Sequence, residues 1–150
     1  MNTIKVESFS LDHTTVNAPH VRQAELTKTP GGDVIAKYDL RFTQPNENIM
    51  PTGAVHALEH LLAGYLREEI PGIIDLSPMG CRTGFYLIRL GEASEVEVAL
   101  ALIRALKRIL HAEAVPARNA IQCGNYRDIS LFGAKEYAKE VLQGLEGKYA

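Results

Sequence analysis

Between Asp33 and Phe42 the chain reads DVIAKYDLRF, in which Val34, Ala36, Tyr38, Leu40 and Phe42 alternate with Lys37, Asp39 and Arg41. Side chains of a strand point to opposite faces in turn, so this spacing predicts a half-buried strand, apolar on one face and charged on the other. The preceding TKTPGGD gathers Pro and Gly with hydroxyls and predicts a turn. The more weakly patterned HVRQAELT then becomes its hairpin partner, and the chain starts antiparallel.

The remaining elements are constrained by their punctuation. After the polar loop QPNENIMP, Thr52 is the expected N-cap of a helix through HALEHLLAGYLREE that stops before Pro71-Gly72, with Val55, Leu58, Leu62, Tyr65, Leu66 and Glu69 setting its period. A short strand from Ile73 to Leu76 follows. SPMGCRTG then predicts a tight inter-strand turn carrying Cys81, leading into the strand FYLIRLG. Ser94 and Glu97 have the spacing of a capping box for a long helix, SEVEVALALIRALKRILHA, whose apolar face is Val98, Leu102, Ala105, Leu106 and Ile109. A second turn, QCGNYRD, carries Cys123, and GAKEYAKEVLQGLEGK predicts a terminal helix. No internal repeat, low-complexity tract or linker interrupts residues 1–150, so one domain is expected. The element order predicts an α+β fold, a two-layer sandwich with helices packed on one face of an antiparallel sheet.

Composition excludes some partners. With 46% hydrophobic and 23% charged residues the chain is globular in type, and a net charge of −2 without a long Lys/Arg run argues against nucleic acid. MNTIKVESFSLDH has no apolar signal-peptide core, and the most apolar segments carry charges or imidazoles that make a membrane span costly. A cytoplasmic protein without a membrane partner is expected. In that compartment the two cysteines, Cys81 and Cys123, are free thiols, ligands or nucleophiles.

The pentapeptide His56-Ala-Leu-Glu-His60 carries the chemistry. Residues four apart lie on one helix face, so His56 and His60 can turn their imidazoles toward one cation, with Glu59 bordering the same face. This is the spacing of the inverted zincin pattern, His-x-x-Glu-His, in which the carboxylate transfers protons. The bland alternative is a polar stripe on a surface helix. A catalytic metal usually has three protein ligands and one open position. The third ligand is open among Cys81, Cys123, His13, His20, His111 and several carboxylates, and spacing does not choose between the two cysteines.

Taken in order, VESFSLDHTTVNAPHVR, KYDLRFTQPN, HALEHLLAGYLR, IIDLSPMGCRTGFYL and QCGNYRD resemble the S-ribosylhomocysteine lyases called LuxS, a match that spans most of the chain from Val6 to Asp128. The resemblance implies metal ligands His56, His60 and Cys123, with Cys81 and Glu59 unligated as the acid/base pair. It also implies one divalent metal per subunit, Fe(II) foremost with Zn(II) or Co(II) able to replace it, and a homodimer with active sites at the interface. Ser8, His13 and Arg41 would line the substrate pocket, from the neighbouring subunit, and Arg67 and Asp75 would hold the homocysteine end. Each has a duller reading as a turn pin, strand-face charge, helix-end charge or local hydrogen bond. Three positions depart from the family pattern: His20 where tyrosine is expected, Thr43 where some relatives have cysteine, and Ile129 where histidine is common.

The implied reaction cleaves the thioether of S-ribosylhomocysteine to homocysteine and 4,5-dihydroxy-2,3-pentanedione, the precursor of autoinducer-2. An unactivated carbon–sulfur bond does not ionise readily. Moving the sugar carbonyl from C1 to C2 and then to C3 makes the C4 proton acidic, and its removal expels the sulfur at C5. Every step transfers protons, which calls for groups on both sides of the sugar. A thiol does this near neutral pH only when neighbouring charge or donors favour its thiolate, and Arg41 and Arg82 are candidates. Two enzymes compete with this reading: a zinc peptidase, which takes a distant glutamate as third ligand, and a peptide deformylase, in which the cysteine precedes a His-Glu-x-x-His pattern. A structural metal module would need Cys81 as a fourth ligand.

Overall fold

The computed structural model describes residues 4–150. Its elements run α1 (Glu7–Ser10), β1 (His20–Lys28), β2 (Val34–Arg41), α2 (Thr52–Glu69), β3 (Ile73–Pro78), β4 (Gly84–Leu90), α3 (Glu95–Ile109) and α4 (Leu131–Tyr149). The strands form one antiparallel sheet in the order β1-β2-β4-β3. Two hairpins therefore meet at β2 and β4, and α2 carries the chain from the first to the second. The expected α+β architecture is observed, with α2, α3 and α4 packed on one another and α2 and α3 against the sheet.

Alternation decides which sheet face the helices take. Ala36, Tyr38 and Leu40 of β2 and Phe85 and Leu87 of β4 are fully buried beside the helices. The Tyr38 hydroxyl donates to the Ala93 carbonyl at 2.5 Å and so meets the requirement of a buried polar tip. In α3 the face of Val98, Leu102, Ala105, Leu106 and Ile109 is at most 1% exposed, each large side chain contributing roughly 1.5–3 kcal/mol of burial. The capping box at its start is present: Ser94 Oγ accepts from Glu97 N–H at 3.1 Å, and Glu97 accepts from Ser94 N–H at 3.2 Å.

Three sequence expectations need correction. Thr52 does not cap α2; it is the first helical residue, Pro51 holds the cap position, and no side-chain cap bond forms. Pro at that point has the φ the chain needs and no N–H to satisfy. The charged face of β2 is not solvated at its end, since Asp39 and Arg41 are 0% and 1% exposed. They are paired with each other, and Arg22 of β1, itself paired to Glu7 of the unanticipated α1, lies against them. Finally, α4 begins earlier than the Gly133 expected, because the Ser130 hydroxyl accepts from Gly133 N–H at 2.9 Å and caps it. Among the described residues no helix is long and apolar enough to cross a membrane.

Candidate metal centre

His56 and His60 sit one turn apart on α2 with ring centroids 4.8 Å apart. The segment between α3 and α4 folds back over this helix and fixes both rings. Nδ1 of His56 lies 2.9 Å from the Asp128 carbonyl, and Nδ1 of His60 lies 2.8 Å from the Pro116 carbonyl. A carbonyl oxygen only accepts, so each Nδ1 carries the proton and each Nε2 keeps its lone pair for a metal. The same segment delivers Cys123, whose backbone N–H donates to the Asn119 carbonyl at 3.0 Å. Its sulfur lies 3.4 Å from His56 Nε2, and the three ligand atoms fall within 4.8 Å of one another.

These residues fit a tetrahedral transition metal. Bonds of about 2.0 Å to nitrogen and 2.3 Å to sulfur put tetrahedral neighbours about 3.5 Å apart. Two imidazoles and a thiolate leave a fourth position free, the pattern of a catalytic rather than a closed structural site. The third member is a cysteine and not a carboxylate, unlike the peptidase pattern, and it follows the histidines in the chain, unlike the deformylase order.

Glu59 is half-buried on the same helix and borders two cavities. One, of about 310 Å³, adds His56, Met79, Gly80, Arg82 and Asp128. The other, of about 330 Å³, adds His60, Ala63, Gly64 and Pro116. Cys81 is exposed in the turn between β3 and β4 and lines a separate cavity of about 300 Å³ with Ser8, His13, Arg41 and Tyr86. Met79 and Gly80 form a wall common to that cavity and the His56 side. Ser8, His13 and Arg41 therefore stand beside Cys81 within a single chain. Burial pushes the Tyr86 phenol above its ordinary value, which keeps it a neutral donor there.

Arg67 and Asp75 join neither cluster. Arg67 is exposed and its Nη1 donates to the Ala63 carbonyl of its own helix at 2.6 Å; Asp75 is exposed and accepts from the Ser77 hydroxyl. A surface cavity of about 430 Å³ along α4 beside Asn48 is lined by no histidine or cysteine. Of the positions departing from the family pattern, Ile129 is buried in the core, Thr43 is 4% exposed, and His20 is half-buried beside Asp39. Sequence reading missed Asp39 and Thr83, which hold Arg41, and the two carbonyls that orient the histidines. Asp39 and Arg41 share a strand face two residues apart, a readable signal; a backbone carbonyl has none.

Comparison with known proteins agrees with this geometry. The family model described as S-ribosylhomocysteinase (LuxS) matches residues 6–149. An S-ribosylhomocysteine lyase of Clostridioides difficile is 59% identical over 92% of this chain and 91% of its own length. Those of Enterococcus faecalis and Thermus thermophilus are 57% and 58% identical, over 94% and 93% of this chain and 93% and 90% of theirs.

Proposed function

The chain belongs to the LuxS family of S-ribosylhomocysteinases, and on that footing we propose that it is a lyase cleaving S-ribosylhomocysteine to homocysteine and 4,5-dihydroxy-2,3-pentanedione, the precursor of autoinducer-2. The cluster of His56, His60 and Cys123 with Glu59 alongside carries this reading, because it unites a three-ligand metal set and a proton-transfer carboxylate. When bound there, a divalent ion, Fe(II) foremost with Zn(II) or Co(II) as substitutes, supplies positive charge that offsets the charge developing on a sugar oxygen.

The chain's own side chains then move protons. Glu59 and Cys81 act on different sides of the sugar, exchanging protons between carbon and oxygen as the carbonyl migrates from C1 to C3. One of them removes the C4 proton, and the electron pair released expels the C5 thioether sulfur as homocysteine. Ser8, His13 and Arg41, lining the cavity of Cys81, bind the sugar, and Arg67 and Asp75 hold the amino-acid end.

Residues 1–150 form a single catalytic unit that works as a cytoplasmic homodimer with its sites at the interface. Support for the dimer comes from the sheet face turned away from the helices. Ile35, Ile88 and Leu90 share it with Arg41 and Asp75, which places apolar surface and site residues on one side. Arg67 and Asp75 also line neither the Cys81 cavity nor the two cavities beside Glu59 of their own chain. Mass analysis of metal-loaded protein incubated with S-ribosylhomocysteine tests the reaction: both products in equal amounts are expected. Homocysteine with an intact ribose instead would indicate simple hydrolysis and overturn it.

A further inference from the structure

The sulfur of Cys81 lies 3.1 Å from Oγ1 of Thr83. That oxygen also accepts from Nη1 of Arg41 at 2.9 Å, and Nη1 lies 3.9 Å from the sulfur itself. Arg41 is not free to turn away. Its Nη2 donates to Oδ2 of Asp39 at 2.8 Å, and the same oxygen accepts from Nη2 of Arg22 at 3.1 Å. Arg22 in turn is held by Glu7, one residue before Ser8 of the cavity.

A hydroxyl carries one proton, and a guanidinium has only donors. With Arg41 occupying one lone pair of Oγ1, the hydroxyl proton must point elsewhere. The Cys81 sulfur is its other hydrogen-bond neighbour among the described residues. A thiol sulfur is a weak acceptor, whereas hydrogen bonds to an ionised acceptor are about twice as strong as neutral ones. The chain from Arg41 through Thr83 to sulfur is therefore strongest when Cys81 is ionised.

We propose that Thr83 is a positioning residue for Cys81: its hydroxyl relays the fixed charge of Arg41 to the sulfur and holds it as a thiolate facing Ser8 and His13. Its catalytic meaning rests on Cys81 being a proton-transfer group of the lyase reaction. The relay itself can be tested without substrate.

Thr83→Val keeps the shape and removes the hydroxyl, and Thr83→Ser keeps the hydroxyl. Neither touches the Thr83 backbone carbonyl, which accepts from the N–H groups of Phe42 and Thr43. In metal-loaded protein, alkylation of Cys81 by iodoacetamide is followed against pH, with peptide masses separating it from Cys123. Losing a hydrogen bond to a charged group should displace the Cys81 alkylation profile of Thr83→Val to higher pH, slowing alkylation about tenfold on the acidic limb of the profile. Thr83→Ser should follow the wild type. With S-ribosylhomocysteine, Thr83→Val should lose kcat while KM holds. An unchanged alkylation profile in Thr83→Val, or a Thr83→Ser profile equal to that of Thr83→Val, overturns the relay. If Val disturbs the turn, Thr83→Ala is judged by the same profile. The predicted alkylation contrast together with no homocysteine release from the wild type would support the relay and overturn the lyase assignment.

Discussion

Glu59 and Cys81, the proposed proton-transfer groups, are not among the three clustered ligand atoms, and this separates their variants from those of His56, His60 and Cys123. Glu59→Gln should retain the metal and lose at least about a hundredfold in turnover, the usual scale of a general acid/base contribution. Metal analysis beside the rate measurement checks it; parallel loss of metal would make Glu59 a ligand. His20 gives a second prediction. Burial, outweighing the attraction of Asp39, lowers its pKa, with Lys148, Arg41 and Arg22 acting in the same direction as burial. The folded state then binds fewer protons than the unfolded chain once pH falls below the ordinary value of 6.5, and stability declines with falling pH. Thermal unfolding of the wild type and His20→Gln should therefore diverge between about pH 7.5 and 5.5, the wild type losing more. Equal losses would remove His20 from that account.

The turn between β3 and β4 carries Cys81, and Gly84 directly after it shows how tightly the turn is seated. A Cβ at Gly84 would stand 2.2 Å from the Leu40 carbonyl oxygen of β2. Gly84→Ala should cost about 1–3 kcal/mol or more, read from denaturant unfolding, because backbone must yield. Unchanged stability would mean that β2 and β4 separate there easily. Much of this layer was legible beforehand. The alternation of β2, the capping box of α3 and the Pro71-Gly72 stop of α2 are local signals with local causes. The buried ends of Asp39 and Arg41 were not, since Arg22, which pairs with Asp39, and Glu7, which holds Arg22, arrive from β1 and α1. Likewise, Cys123 was one of several candidate ligands by spacing. Its choice depends on a loop folding back over α2, whose anchors to the histidines are the carbonyls of Pro116 and Asp128.

For the molecule as a whole, the sheet face bearing Ile35, Ile88 and Leu90 leads to the expectation of a dimer. Sedimentation should give about twice the chain mass of 16.5 kDa, and Ile88→Asp, placing a charge on that face, should shift it toward monomer while metal content holds. A wild-type monomer would exclude shared sites. The reaction is tested most directly by thiol release: anaerobic, iron-loaded protein is mixed with S-ribosylhomocysteine and the homocysteine is titrated, with Cys81→Ala alongside. Metal-dependent release by the wild type and none by Cys81→Ala is the predicted result. No release from protein shown to be metal-loaded and dimeric would contradict the lyase assignment.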